Sequence, residues 1–373
     1  MINNMQKLTP LLFLIAMLGL AGCSDPEPIK IGVVGELSGR RSEIGVGARN
    51  AIQLYVDQVN EAGGIKGRPV ELVIHDNAGD PQVCRQVLDS MIADGLKFII
   101  GPVFSQMAEV TLEAIEGKDV LVLSGTMSTD YLTGRDDNFL RVCSTASRQA
   151  ALLAKTVVGD GIKSIAVVYD LSNRKYTEQI YELFKSGVEK HGISVPLALT
   201  IEKTKHPEML ALAKKIVDAD VGGVLMCLSA VDAANLAQQI RKLGSDISFF
   251  GVSWSQSNDL LQHGGRTVEG MVLISTQSYG PPSDSMVAYK KQYLARYKQP
   301  PSFVSDRLWD GTGLLMQAME DAEDLTPESV KKAILSIEDY QGLSQPARLD
   351  KFGDFLGGYY MVKVVGGKYV AVD

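Results

Sequence analysis

Residues 29–77 contain one complete strand–loop–helix–turn–strand unit, and that unit limits what the remaining chain can fold into. Ile31, Val33 and Val34 form a short apolar run ending at Gly35, the pattern of a strand buried on both faces of a parallel sheet. The polar segment 36–47 reads as a loop. Ala48, Ile52, Tyr55, Val56 and Val59 then recur at three- and four-residue spacing, which places them on one face of an amphipathic helix. Asn60, Glu61 and Gly63-Gly64 end that helix, because glycine takes positive φ at a helix C-terminus at little cost. Residues 70–74 form a second strand and close a βαβ unit. In sheets of this kind ligands bind beyond the carboxyl ends of the strands. The loop 36–47 is therefore the first candidate binding loop, and the later strand-to-helix loops are its counterparts.

The alternation continues along the chain. A helix over 81–94, a strand over 97–100 ending at Gly101-Pro102, a helix over 108–116 and a strand over 120–123 complete a first series. Residues 139–142 are extended and lead out of it. A second series begins with a helix over 149–158 and sets strands 164–169, 194–201, 223–228 and 249–252 between further helices. The last third holds an extended stretch at 270–276, helices over 283–297, 303–322 and 327–337, and a hairpin of 359–365 with 368–372 across Gly366-Gly367. Two sets of parallel βα units imply an α/β fold of two Rossmann-like lobes with a central cleft. The late pieces complete both lobes through three interlobe crossings, near 144–147, 275–278 and 344–348. Residues 29–145 with 278–345 are assigned to lobe 1, and 146–277 with 346–373 to lobe 2.

Ahead of the first strand, Lys7 precedes an apolar run at 11–20 that is short for a membrane span. The run closes with Leu20-Ala21-Gly22-Cys23, which resembles the lipobox of bacterial lipoproteins. That resemblance implies a signal peptide over 1–22, a diacylated Cys23, a tether over 23–28 and an exported body anchored to the cell envelope. The alternative is an ordinary secretory peptide. The remaining chain of about 350 residues suits two domains better than one core. A formal net charge of −7 and the lack of a basic stripe argue against nucleic-acid binding. Three further cysteines are present. An exported protein can hold a disulfide, and Cys84–Cys143 is the pair to test. Cys227, inside an apolar run, reads as a buried thiol.

Catalytic and cofactor signals are incomplete. Gly45-Val46-Gly47 lacks the third glycine of a dinucleotide fingerprint. Gly251-Val252-Ser253-Trp254-Ser255 lacks the final glycine of a nucleophile elbow. His75, His191, His206 and His263 have no metal-ligand spacing. With no convincing nucleophile–base pair, the chain does not read as an enzyme, and no cofactor or metal is expected.

Several motifs together carry a further resemblance. They are Ser38-Gly39, the run Asn60-Glu61-Ala62-Gly63-Gly64-Ile65-Lys66-Gly67-Arg68, residues 76–81, Ile100-Gly101-Pro102 with Ser105, residues 123–133, and Phe352-Gly353-Asp354. With these, the chain from Ile29 onward resembles the type I periplasmic solute-binding proteins of the leucine/isoleucine/valine-binding family. The resemblance implies a monomeric two-lobe clamp that closes on a small-molecule ligand, an amino acid or small carboxylate. It would deliver that ligand to an ABC permease and its ATPase subunits, from the periplasm or the outer face of the plasma membrane. A sensor that uses the same clamp without transport is the alternative.

Carried over position by position, the resemblance assigns Ser105, with Gln106 beside it, and then Thr126 and Ser128 to the ligand's carboxylate and ammonium. It assigns Tyr176 and Trp309 as aromatic contacts. Backbone N–H groups at helix N-termini attract an anion, and hydroxyls fix its orientation in a largely apolar pocket. Two departures stand out. The second-lobe acid expected to pair with an ammonium should fall near Ser253 or Trp254, where none stands. Asp232, in the strand-end loop that also carries Ser229, is the nearest acid; it either meets the ligand or caps the following helix. The first-loop aromatic is replaced near Ile44, preceded by Arg40 and Arg41, either of which faces an anionic ligand or solvent. Trp254 and Trp309 are the expected stacking walls. Branched-chain amino acids and amine-free aromatic carboxylates both remain open as ligands.

Overall fold

The computed structural model describes residues 26–39, 41–202, 206–279 and 281–372. The expected signal peptide, Cys23 and Arg40 lie outside the described residues. Among the described residues no helix is long and apolar enough to cross a membrane.

Strands β1 (Ile29–Gly35), β2 (Val70–Asp76), β3 (Phe98–Ile100), β4 (Leu121–Ser124) and β5 (Phe139–Arg141) form a parallel sheet in the order β2-β1-β3-β4-β5. Strands β6 (Ser164–Asp170), β7 (Ser194–Ile201), β8 (Gly223–Cys227), β9 (Ser248–Gly251) and β10 (Val272–Ser275) repeat that winding as β7-β6-β8-β9-β10. The antiparallel pair β11 (Tyr360–Val365) and β12 (Lys368–Ala371) extends the second sheet beyond β10. The central strands β3, β4 and β8 are buried at every residue, as strands covered on both faces must be. Edge strand β7 alternates exposed and half-buried positions.

Helices α1 (Ser42–Glu61), α2 (Pro81–Ala93) and α3 (Ala108–Ile115) belong to the first series. The second comprises α4 (Ala146–Gly159), α5 (Arg174–Glu189), α6 (His206–Asp218), α7 (Ala230–Lys242) and α8 (Asn258–Gly264). Helices α9 (Asp284–Tyr297), α10 (Phe303–Asp321) and α11 (Pro327–Ser336) return to lobe 1, where α10 packs along α1. Helix α1 starts at Ser42, inside the segment read as loop. Its glycines are helical because of close approach: a Cβ on Gly45 would overlap the Glu36 carbonyl. Gly47 faces the Ser305 hydroxyl of α10.

Three segments connect the lobes. The first follows β5 into α4, and the second follows β10 into α9. The third enters β11 only after residue 356: Arg141 N–H donates to Gly353 O at 3.0 Å, and Leu349 bridges Phe355, so residues 349–355 stay on lobe 1. This is later than the crossing expected at 344–348. Strand β5, expected to lead out of lobe 1, does so as the edge strand of its sheet.

The expected Cys84–Cys143 disulfide is not formed. Cys84, Cys143 and Cys227 are free and buried. Cys84 lies on the inner face of α2 among Val34, Leu88 and Met107, whereas Cys143 lies past β5 near Arg141 and Arg307. Burial pushes the Cys84 thiol up to about 12 and the Cys143 thiol up to about 11, which keeps both protonated and unreactive.

Candidate functional site

A cavity of about 40 Å³ lies where the strand-end loops of the two lobes meet. It is small because the lobes are drawn together. The Gln106 N–H donates to Asn173 Oδ1 at 3.2 Å, and Gln106 Oε1 accepts the Lys175 N–H at 3.3 Å. The Asp130 N–H donates to Gln179 Oε1 at 3.1 Å, and Gln179 Nε2 returns a bond to Asp130 Oδ2 at 3.2 Å. This is the closed arrangement of a clamp.

The lobe 1 wall is donor-rich. Val103, Phe104 and Ser105 come from the loop after β3, and Thr126 and Ser128 from the loop after β4. Ser105 Oγ accepts the Thr129 N–H at 3.3 Å, which leaves the hydroxyl proton for another acceptor. Thr126 donates to Val103 O at 2.6 Å and so ties the two loops together. The Ser128 hydroxyl has no hydrogen-bond partner among the described residues, and neither do the N–H groups of Ser105 and Ser128. Behind this wall stands Arg141, 1% exposed. It donates to Met127 O at 3.3 Å, Thr129 O at 2.8 Å and Asp354 Oδ1 at 2.7 Å. The Phe352-Gly353-Asp354 motif thus holds the arginine that fixes the Ser128 loop.

The lobe 2 wall consists of Asn173, Tyr176, Ser253 and Trp254. Its brace is neutral. Buried Gln149 on α4 accepts from the Tyr176 hydroxyl at 2.6 Å and from the Ser253 N–H at 3.0 Å. Burial raises the Tyr176 hydroxyl well above its ordinary range, so it remains a donor. The Trp254 indole N–H is buried without a partner, and its ring meets Phe104 edge-on at 6.2 Å across the cleft. Ile44 at the start of α1, with Phe303 and Val304 at the start of α10, completes the apolar part.

The mouth is latched by a buried ion pair. Arg41 meets Glu36 with Nη2–Oε2 at 2.7 Å and lies over the Phe104 ring at 4.0 Å. It also donates to Ser172 O of lobe 2 at 3.2 Å. Arg41 therefore spans the two lobes.

A model of the periplasmic binding protein family matches residues 28–368. The chain belongs to that family. A leucine-, isoleucine-, valine-, threonine- and alanine-binding protein of Pseudomonas aeruginosa is 25% identical over 334 residues, 88% of each chain. The Leu/Ile/Val-binding protein of Escherichia coli K12 is 25% identical over 273 residues, 70% of this chain and 73% of that one. Among solved structures, the branched-chain amino acid transporter substrate-binding protein LivJ from Streptococcus pneumoniae, in complex with isoleucine, superposes with a TM-score of 0.83. It shares 21% identity over 92% of this chain and 98% of that one. A solute-binding protein of Rhodopseudomonas palustris BisB5, in complex with 3,4-dihydroxybenzoic acid, gives 0.82 at 19% identity, covering 92% and 96%. These likenesses carry the type I periplasmic binding protein fold.

In this periplasmic binding protein Ser105, Thr126, Ser128, Tyr176 and Trp254 line one cavity. Four other expected residues stand elsewhere. Gln106 clips the lobes together beside the cavity. Ser229 is the N-cap of α7, its Oγ accepting the Asp232 N–H at 3.3 Å and donating to Asp232 Oδ2 at 2.8 Å. Asp232 thus occupies the first turn of α7 and not the cavity lining. Trp309 packs against Tyr55 at 4.7 Å and Tyr289 at 4.5 Å in the outer layer of lobe 1. Phe303 takes the wall position on the same helix; six residues is two-thirds of a turn out of phase, so both cannot face the cleft. Asn173 and Phe104 were legible as members of loops already singled out. Phe303 was marked only by its place at a helix start after Pro300-Pro301-Ser302.

Proposed function

We propose that this chain is the extracytoplasmic solute receptor of an ABC importer, closing its two lobes on a small carboxylate-bearing molecule for delivery to the permease. The observation that carries the reading is the cavity itself: unpaired N–H and hydroxyl donors of two lobe 1 loops face an aromatic lobe 2 wall. A ligand shifts the clamp toward closure only through contacts it makes with both lobes at once; the cross-lobe bonds of Gln106, Asp130 and Arg41 set how favourable the closed arrangement is by itself. The relatives' names make leucine, isoleucine and valine the first solutes to test. Cys23 supplies a lipid anchor in this reading, and the receptor acts as a monomer with the permease as its partner.

The test is a thermal-shift screen of the body from Ser24, unfolded and refolded to remove carried-over ligand. The panel holds branched, aromatic and polar amino acids, aliphatic and aromatic carboxylates, and small amides including urea. A ligand at 100 times its dissociation constant stabilises the fold by about 2.7 kcal/mol. A panel without any shift contradicts the receptor reading.

A further inference from the structure

Six carbonyls of the lobe 1 loops accept hydrogen bonds from within the fold. Pro102 O accepts from the Ser124 hydroxyl at 2.7 Å, Val103 O from Thr126 at 2.6 Å, and Phe104 O from the Met107 N–H at 3.0 Å. Met127 O and Thr129 O accept from Arg141, and Ser128 O from the Ala146 N–H at 2.7 Å. The Thr126 carbonyl, by contrast, has no donor among the described residues. The N–H groups of Ser105 and Ser128, the Ser128 hydroxyl and the Trp254 indole N–H also lack partners among the described residues. No aspartate or glutamate is among the described residues that line the cavity. Glu36 is paired with Arg41, and Asp232 lies in the first turn of α7.

A cavity with several free donors and no carboxylate in its described lining fits an anion and leaves a cation without a charged partner. An ammonium brought here would surrender its water without a compensating carboxylate, and burying an unpaired charge is among the costliest changes in a protein interior. A carboxylate has the opposite requirement, since it only accepts hydrogen bonds. The edge-to-face arrangement of Phe104 and Trp254, with Phe303 and Ile44 beside it, offers an apolar slot for the rest of the molecule. We infer that the solute of this site is a carboxylate without an ammonium group, held by the lobe 1 donors with its apolar body in that slot. The inference rests on the receptor reading above and narrows its ligand class.

The experiment is isothermal titration calorimetry on the refolded body with matched pairs. Leucine is set against 4-methyl-2-oxopentanoate, phenylalanine against 3-phenylpropanoate, and benzoate against benzamide. At least one amine-free acid is expected to bind about 100-fold tighter than its amino-acid partner, and benzoate tighter than uncharged benzamide. An amino acid that binds as tightly as its amine-free partner, or tighter, overturns the inference and leaves the receptor reading intact. No binding by any pair, together with a flat thermal-shift panel, overturns both. Ser253→Glu provides an independent arm, since it places a carboxylate in the lobe 2 wall. It should shift the leucine-to-keto-acid affinity ratio at least tenfold toward leucine; a folded variant with an unchanged ratio contradicts the ligand orientation. If that variant does not fold, the wild-type pairs decide alone.

Discussion

On the lobe 1 side of the cleft, a fully buried arginine paired with Asp354 grips the carbonyls of the loop that carries Ser128. On the lobe 2 side, a neutral glutamine performs the equivalent task, holding Tyr176 and the Ser253 N–H through one amide oxygen. The five parallel strands of both sheets wind in the same order, so the difference lies in the bracing side chains, one on strand β5 and one on helix α4, and not in the strand order. A charged brace fixes one geometry, because each of its donors loses a strong bond if the loop moves. The lobe 1 face is therefore set before a ligand arrives. In the proposed receptor the lobe 2 face is the side that meets the ligand's body.

That contrast sets the order of expected effects. Arg141→Ala leaves Asp354 without its partner and should destabilise the fold by about 3–5 kcal/mol in chemical denaturation. A loss below 1 kcal/mol would show that the charged brace is not structural. Gln149→Leu removes a neutral acceptor for two buried donors and should cost about 2 kcal/mol. Equal losses in the two variants would erase the distinction between the lobes. Ser128→Ala deletes a cavity donor without touching either brace. It should weaken ligand affinity roughly tenfold in calorimetry, with the unliganded melting temperature unchanged; an unaltered affinity removes Ser128 from the site.

The second crossing supplies a smaller effect with a defined sign. Burial raises the Asp306 carboxyl from 3.8 to about 7, Asp310 adds to the rise, and Lys290 and Arg307 oppose it. Gln277 Nε2 of the crossing donates to this carboxyl. Between about pH 4 and pH 7 the folded chain then holds a proton that the unfolded chain releases. The group's contribution to stability thus falls as pH rises through that window and is level above it. Asp306→Asn removes the slope, so the variant should gain melting temperature relative to wild type between pH 5 and pH 8. Parallel melting curves across that range contradict the assignment.

Much of the scaffold could be read from the chain because buried parallel strands are short apolar runs and their helices carry 3.6-residue stripes. That periodicity also pointed to the strand-to-helix loops as a group, and the resemblance singled out those after β3, β4 and β6. Long-range pairings left no such trace. Arg141 and Asp354 are 213 positions apart, and nothing local to either marks the other. The resemblance assigned Trp309 as an aromatic contact, yet helix phase gives the wall to Phe303. Ser229 and Asp232 carry the signature of a helix start, and the capping bond is the use the fold makes of them. Gly45 and Gly47 suggested a loop; close approach to Glu36 and to α10 explains glycine there equally well.

The chain's two tryptophans allow the central claim to be tested directly, since Trp254 lines the cavity and Trp309 lies in the outer layer of lobe 1. Two single-tryptophan variants, Trp309→Phe and Trp254→Phe, would be titrated in parallel with 3-phenylpropanoate and with leucine while emission is recorded. A ligand that closes the clamp should change the emission of Trp254 saturably and leave Trp309 silent. A saturable response from Trp309 with Trp254 unmoved would place the ligand outside this cleft.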